Sequence, residues 1–92
     1  MNMPPESLPP LAEKILAALW KLNALGNRSI SERRLKADLA ITKDELTAET
    51  QKLQAQSFLI RLKVGEEVSL SLTHLGLAIL RQIEEDNLQE LK

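Results

Sequence analysis

Ninety-two residues with 12 Lys and Arg against 13 Asp and Glu, a net charge of −1 and 43% hydrophobic content make one small domain and not a disordered chain. Cysteine is absent, which excludes disulfides, thiolate zinc sites and thiol-based redox sensing. No apolar run approaches the roughly 20 residues of a spanning helix, and no basic segment leads into an apolar one at the N-terminus; the expectation is a cytoplasmic chain without a membrane partner.

All four prolines fall in the first ten residues, MNMPPESLPP. Residues 1–9 are expected to form an extended Pro-rich arm, and residues 10–92 the folded domain. Pro10 suits the first turn of a helix. That helix is expected to run to Leu25 and stop at Gly26-Asn27, a left-handed cap signal. Helical periodicity sorts its apolar residues into a stripe of Leu11, Ile15, Ala18, Leu22 and Leu25, with Leu19 at the edge. Leu16 and Trp20 point nearly the opposite way. Either they meet a partner surface, or Trp20 lies against the C-terminal helix of its own chain.

Two helix starts follow. Ile30-Ser31 precedes a helix expected over Glu32 to Leu39, with Ser31 as its cap and Leu35 and Leu39 buried. Ile41-Thr42-Lys43-Asp44-Glu45-Leu46 is a capping box flanked by a hydrophobic staple, and it opens a helix expected over Lys43 to Gln56. Leu46, Thr50 and Leu53 share one side of that helix. Asp44, Ala48, Gln51 and Ala55 share the other, flanked by Thr47 and Lys52. Two capped helices this close read as a helix-turn-helix, whose ordinary use is to lay its second helix in a DNA groove.

The period then changes to two. Phe58, Ile60 and Leu62 alternate with Leu59, Arg61 and Lys63, and Val68-Ser69-Leu70-Ser71-Leu72 alternates again after a tight turn at Gly65, which predicts a β-hairpin. Thr73 caps a last helix, expected over about residues 73–91, carrying Leu75, Ile79, Leu80, Ile83 and Leu88. About 18 residues at 1.5 Å each span roughly 27 Å, so its distal half overhangs the shorter helices and wants cover. A second copy of the chain is the simplest cover. Leu16, Trp20, Ile83, Leu88 and Leu91 are the expected dimer interface.

Charge is distributed unevenly. Residues 28–63 hold eight cations against five anions, and residues 64–92 hold two against six. The helix-turn-helix and first hairpin strand are the basic part, as a phosphate-facing surface requires. His74 is the only histidine and has no cysteine or carboxylate cluster at ligand spacing. It reads as a surface or dimer-contact residue, and no catalytic role, metal or cofactor is expected. Gly76, inside a helical turn, marks close packing against a neighbour.

Helix, helix-turn-helix, two-stranded wing, helix is the order of a winged helix-turn-helix, a mainly α fold with a two-stranded β-wing. Three segments resemble MarR-type bacterial regulators: Leu35-Lys36-Ala37-Asp38-Leu39-Ala40-Ile41-Thr42, Leu53-Gln54-Ala55-Gln56-Ser57-Phe58-Leu59, and Leu70-Ser71-Leu72-Thr73-His74-Leu75-Gly76. The resemblance covers about residues 30–80, and the order and spacing of the motifs carry it. It implies a small dimeric transcriptional regulator that binds duplex DNA in a sequence-specific manner, with the recognition helix in the major groove and the wing beside the minor groove.

If DNA is the partner, Lys43, Thr47, Ala48 and Gln51 are the candidate base readers: Gln suits the adenine edge, Lys the guanine edge, Thr or Ala a thymine methyl. Arg28, Arg33, Arg34, Lys36, Lys52, Arg61 and Lys63 are the candidate phosphate contacts. Asp44 favours the positive end of its helix. The chain departs from the family at two places. Ser57 stands where glycine is usual, and the wing tip Val64-Gly65-Glu66-Glu67 presents carboxylates in place of arginines. The chain is also shorter than the usual member, so no small-molecule effector is expected. A reading from another class stays open: a winged-helix protein-interaction module that never meets DNA.

Overall fold

The computed structural model describes residues 8–90, with side chains through residue 85. In chain order the elements are α1 (Pro10–Lys21), β1 (Ile30–Ser31), α2 (Glu32–Leu39), α3 (Lys43–Ala55), β2 (Leu59–Val64), β3 (Glu67–Leu72) and α4 (His74–Glu90). The strands form one antiparallel sheet in the order β1-β3-β2. The hairpin wing is as expected. The two-residue β1 is an addition, pairing Ile30 with Leu70 and Ser31 with Ser69 on the far side of β3. Of the expected arm, residues 1–7 lie outside the described residues, and Pro9 is extended (φ −57°, ψ 149°), leading into Pro10 in the first turn of α1.

α1 ends earlier than the glycine signal suggests. Ala24 N–H donates to the Leu19 carbonyl at 2.8 Å and Asn23 N–H to that of Trp20 at 3.1 Å, with Asn23 at φ +61°. This is a Schellman motif. Asparagine tolerates the left-handed region nearly as well as glycine, and burial of Ala24 and Leu19, both 0% exposed, favours stopping there. Gly26 belongs instead to the following segment, whose backbone is fixed to the end of β3: Leu72 N–H donates to Ala24 and Gly26 N–H to Leu72.

The same ending recurs. α2 closes with Ile41 N–H on Lys36 and Ala40 N–H on Ala37, and α3 with Phe58 N–H on Leu53 and Ser57 N–H on Gln54. The left-handed residues are Ala40 at φ +54° and Ser57 at φ +67°. Three helices thus stop at left-handed positions filled by residues other than glycine.

The core is formed by Ala12, Ile15, Leu16 and Leu19 of α1 with Leu35, Leu46, Leu53, Leu59, Leu70, Leu72 and Leu80. The buried stripe of α1 is therefore rotated from the expected one, which corrects the assignment of Leu16 to an intermolecular surface. Leu16 is 0% exposed within its own chain and has nothing left to offer a partner. Ile83 is likewise buried, on the inward side of α4 together with Gly76, Ile79 and Leu80. Trp20 remains 40% exposed, and the Arg81 guanidinium of α4 lies 5.8 Å from its ring centroid. This is the within-chain contact left open for it. The Leu88 side chain and Leu91 lie outside the described residues.

The hairpin faces opposite to the alternation read from β2. Leu59 is buried, whereas Ile60, Leu62 and Val64 are more than half exposed. Cross-strand pairing sets this: Leu59 opposes Leu72 and Arg61 opposes Leu70, and partners across an antiparallel pair share a face. With Leu70 and Leu72 in the core, Arg61 must point inward. The turn is a two-residue loop, Gly65-Glu66, between paired Val64 and Glu67, with Gly65 at φ +64°, the pattern of a hairpin with glycine at its first loop position.

Candidate nucleic-acid interface

Both caps of the helix-turn-helix form as the sequence requires. Arg34 N–H donates to Ser31 Oγ at 3.2 Å. Glu45 N–H donates to Thr42 Oγ1 at 3.1 Å, and Thr42 N–H returns a bond to Glu45 Oε1 at 3.1 Å. The Thr42 backbone bond, then its hydroxyl, hold the Glu45 carboxyl below the usual glutamate range, slightly opposed by desolvation. Ile41 packs against the core cluster that contains Leu46, the staple expected of it.

Fixed this way, α3 buries Leu46, Thr50 and Leu53 and exposes Lys43, Asp44, Ala48, Gln51, Lys52 and Ala55. Three candidate base readers, Lys43, Ala48 and Gln51, therefore share an open face. Thr47 is half-buried and its hydroxyl donates to Glu32 Oε2 at 3.3 Å, so that oxygen is engaged beneath the helix.

Arg61 is the larger revision. Its guanidinium donates to Glu32 Oε2 at 3.0 Å and to Thr50 Oγ1 at 2.5 Å, and its own N–H donates to Gln54 Oε1 at 2.6 Å. The side chains of Arg61 and Glu32 retain 16% and 11% exposure. Arg61 thus ties β2 to α2 and α3, and is removed from the phosphate contacts. Its partners Glu32, Thr50 and Gln54, 29, 11 and 7 residues away, carry no local sequence signal, because they meet Arg61 only once the sheet is formed. Gln54 also caps an outward N–H of an edge strand, a site that otherwise invites strand pairing.

Arg28, Arg33, Arg34, Lys52 and Lys63 are exposed and Lys36 is half-buried. Among the described residues the one ion pair is Arg61–Glu32, so these cations keep their charge for a ligand. A cleft of about 240 Å³ between α2, the start of α3 and the wing tip is lined by Glu32, Arg33, Lys36, Lys43, Glu66, Glu67 and Val68. Among the described residues no three His, Cys, Asp or Glu gather into a metal-binding group, and no helix is long and apolar enough to cross a membrane.

A capped helix-turn-helix with an open second helix, a hairpin wing beside it and a further helix after the wing is a winged helix-turn-helix, the fold of the MarR structures to which the chain is similar. The chain is similar to TubR from Bacillus megaterium pBM400 (TM-score 0.78, 23% identity, covering 85% of this chain and 88% of that one). It is similar also to a mutant MarR from E. coli complexed with operator DNA (TM-score 0.74, 24% identity, 88% and 56% covered). The oxidized form of E. coli MarR gives a TM-score of 0.73 at 27% identity, with 95% and 63% covered. The chain thus spans about three fifths of the MarR chains it resembles. No protein-family model and no curated protein matches it.

Proposed function

We propose that this chain binds duplex DNA sequence-specifically as a dimeric transcriptional regulator, with α3 in the major groove. The observation that carries the reading is the division of α3. Its inner face is locked by Leu46, Thr50 and the Arg61 strut, while Lys43, Ala48 and Gln51 stand open between exposed cations. The two small alanines, Ala48 and Ala55, let a groove wall approach closely. The likeness to a MarR complexed with operator DNA supports DNA as the partner. Lys43 and Gln51 are assigned to base edges; Arg28, Arg33, Arg34, Lys36, Lys52 and Lys63 to phosphates. Dimerisation is assigned to Trp20 with Leu88 and Leu91.

Fluorescence anisotropy of a labelled random duplex, titrated at several salt concentrations, tests this. Micromolar binding that weakens steeply with salt is expected, since each phosphate contact adds about 0.9 to the slope of log K against log salt. The protein-interaction reading is favoured by one observation, the outward row of Ile60, Leu62 and Val64 at 52%, 59% and 62% exposure on the wing. Absence of any binding at about 50 mM salt, where even six contacts show strongly, both in the native chain and in a variant without the Glu66 and Glu67 carboxylates, decides for that reading.

A further inference from the structure

Three cations that the binding reading assigns to DNA share one cleft with two carboxylates that it leaves without a role. Arg33 and Lys36 come from α2, Lys43 from the first residue of α3, and Glu66 and Glu67 from the wing tip. Glu32 lines the same cleft, but its carboxylate is taken by Arg61 and Thr47. Among the described residues no wing carboxylate reaches a cation within 4.0 Å, so the charges face one another across open space and stay available to a third body. Carboxylates lining the same cleft as the cations oppose their field there, an effect that salt screens over a Debye length of about 8 Å at physiological strength.

The position is fixed by covalent geometry. A two-residue loop between paired Val64 and Glu67 gives the tip no slack to swing aside.

We propose that Glu66 and Glu67 form an electrostatic gate that withholds Arg33, Lys36 and Lys43 from phosphate and so selects against non-specific duplex. The proposal rests on DNA binding through α3. A duplex placed against that face brings phosphates to the cleft, where the net charge of the five free groups is +1 with the carboxylates and +3 without them. Non-specific DNA, held by charge alone, meets the weaker field. A specific site compensates through base contacts at Gln51, which lies outside the cleft lining. The wing thus sets specificity by lowering background affinity.

The test is the salt-series anisotropy titration of a random duplex with the native chain, the double variant Glu66→Gln/Glu67→Gln, and Glu84→Gln/Glu85→Gln as a control for net charge. Glu84 and Glu85 are exposed on α4, away from the cleft lining. Removing two opposing carboxylates raises the net charge at the cleft by two, which steepens the salt slope by about 1.8 and tightens binding at low salt about tenfold. That gain, absent from the α4 control, supports the gate, including where the native chain itself does not bind measurably. Native binding that is unchanged in the wing variant overturns the gate and leaves DNA binding standing. An equal gain from the α4 control also overturns it, since the effect is then bulk charge. No binding by either the native chain or the wing variant overturns both readings.

Discussion

A Cβ added to Gly76 would collide with the carbonyl oxygen of Phe58 and come within 2.9 Å of Leu72 Cδ1. The first turn of α4 therefore rests directly on the backbone that joins α3 to the wing. Thr73 secures the same junction. Its hydroxyl donates to the Ser57 carbonyl at 2.6 Å and accepts from Gly76 N–H at 3.0 Å, while Thr73 N–H donates to Phe58 at 3.2 Å. The segment Leu72-Thr73-His74-Leu75-Gly76 is thus a clamp between the end of α3 and the start of α4.

Gly76→Ala is expected to destabilise the fold by about 3 kcal/mol, at the upper end of ordinary overpacking costs, because the obstructing atom is backbone and cannot rotate away. Urea denaturation measures it; a loss below about 1 kcal/mol shows that the junction yields.

Arg61→Ala strands the Glu32 carboxylate beside Thr47 and Thr50. Breaking a fully buried pair costs 3–5 kcal/mol; with both side chains partly wetted, about 2 kcal/mol is expected. Replacing Arg61 and Glu32 together with Met and Leu should recover most of that loss. Thermal melts of the two single variants and the double variant give the coupling, and strict additivity of the singles would remove the strut.

Ala40 and Ser57 carry side chains where the backbone is left-handed. Such a position costs an L-residue roughly 1–2 kcal/mol, partly offset in a glycine variant by greater unfolded-chain entropy. Ala40→Gly and Ser57→Gly should each stabilise by about 0.5–1 kcal/mol, additively because they terminate different helices. Chemical denaturation midpoints that fall in either variant contradict the assigned conformation.

Glu45 has its proton affinity lowered in the folded state by Thr42. Unfolding therefore takes up protons as pH falls. The stabilisation is fully present above the unfolded glutamate pKa, about 4.3, and disappears as pH drops through the lower folded value. Glu45→Gln keeps the reciprocal bonds of the cap without the titration, so its melting temperature should fall less than the native one between pH 5 and 3. Parallel pH profiles would show that the cap does not discriminate charge.

Arg33→Ala/Arg34→Ala/Lys52→Ala removes three exposed cations around α3 and should abolish random-duplex binding while leaving melting intact. Any residual binding should have a salt slope reduced by about 2.7. Undiminished affinity would displace the duplex from this face.

Local chemistry in the sequence determined much of this molecule. The bounds of α2 follow from Ser31, the start of α3 from the Thr42–Glu45 box, and the wing from Gly65 between alternating runs. These are contacts among residues a few positions apart, so their signal is carried within one short window. Gly76 was legible as a close-packing site, though not its neighbour. The open face of α3 was legible for the same reason, since helical spacing separates Leu46 and Leu53 from Ala48 and Gln51.

Tertiary structure alone decided what depends on two distant segments meeting. β2 offers apolar residues on both faces, so alternation did not choose between them; the register against Leu70 and Leu72 did, turning Arg61 inward to Glu32 and leaving Ile60 and Leu62 outside. α1 is apolar over so wide an arc that only packing placed Leu16 in the core. The meeting of wing carboxylates with cations of α2 and α3 came the same way. Periodicity identifies faces, but the partner that each face finds is a property of the assembled chain.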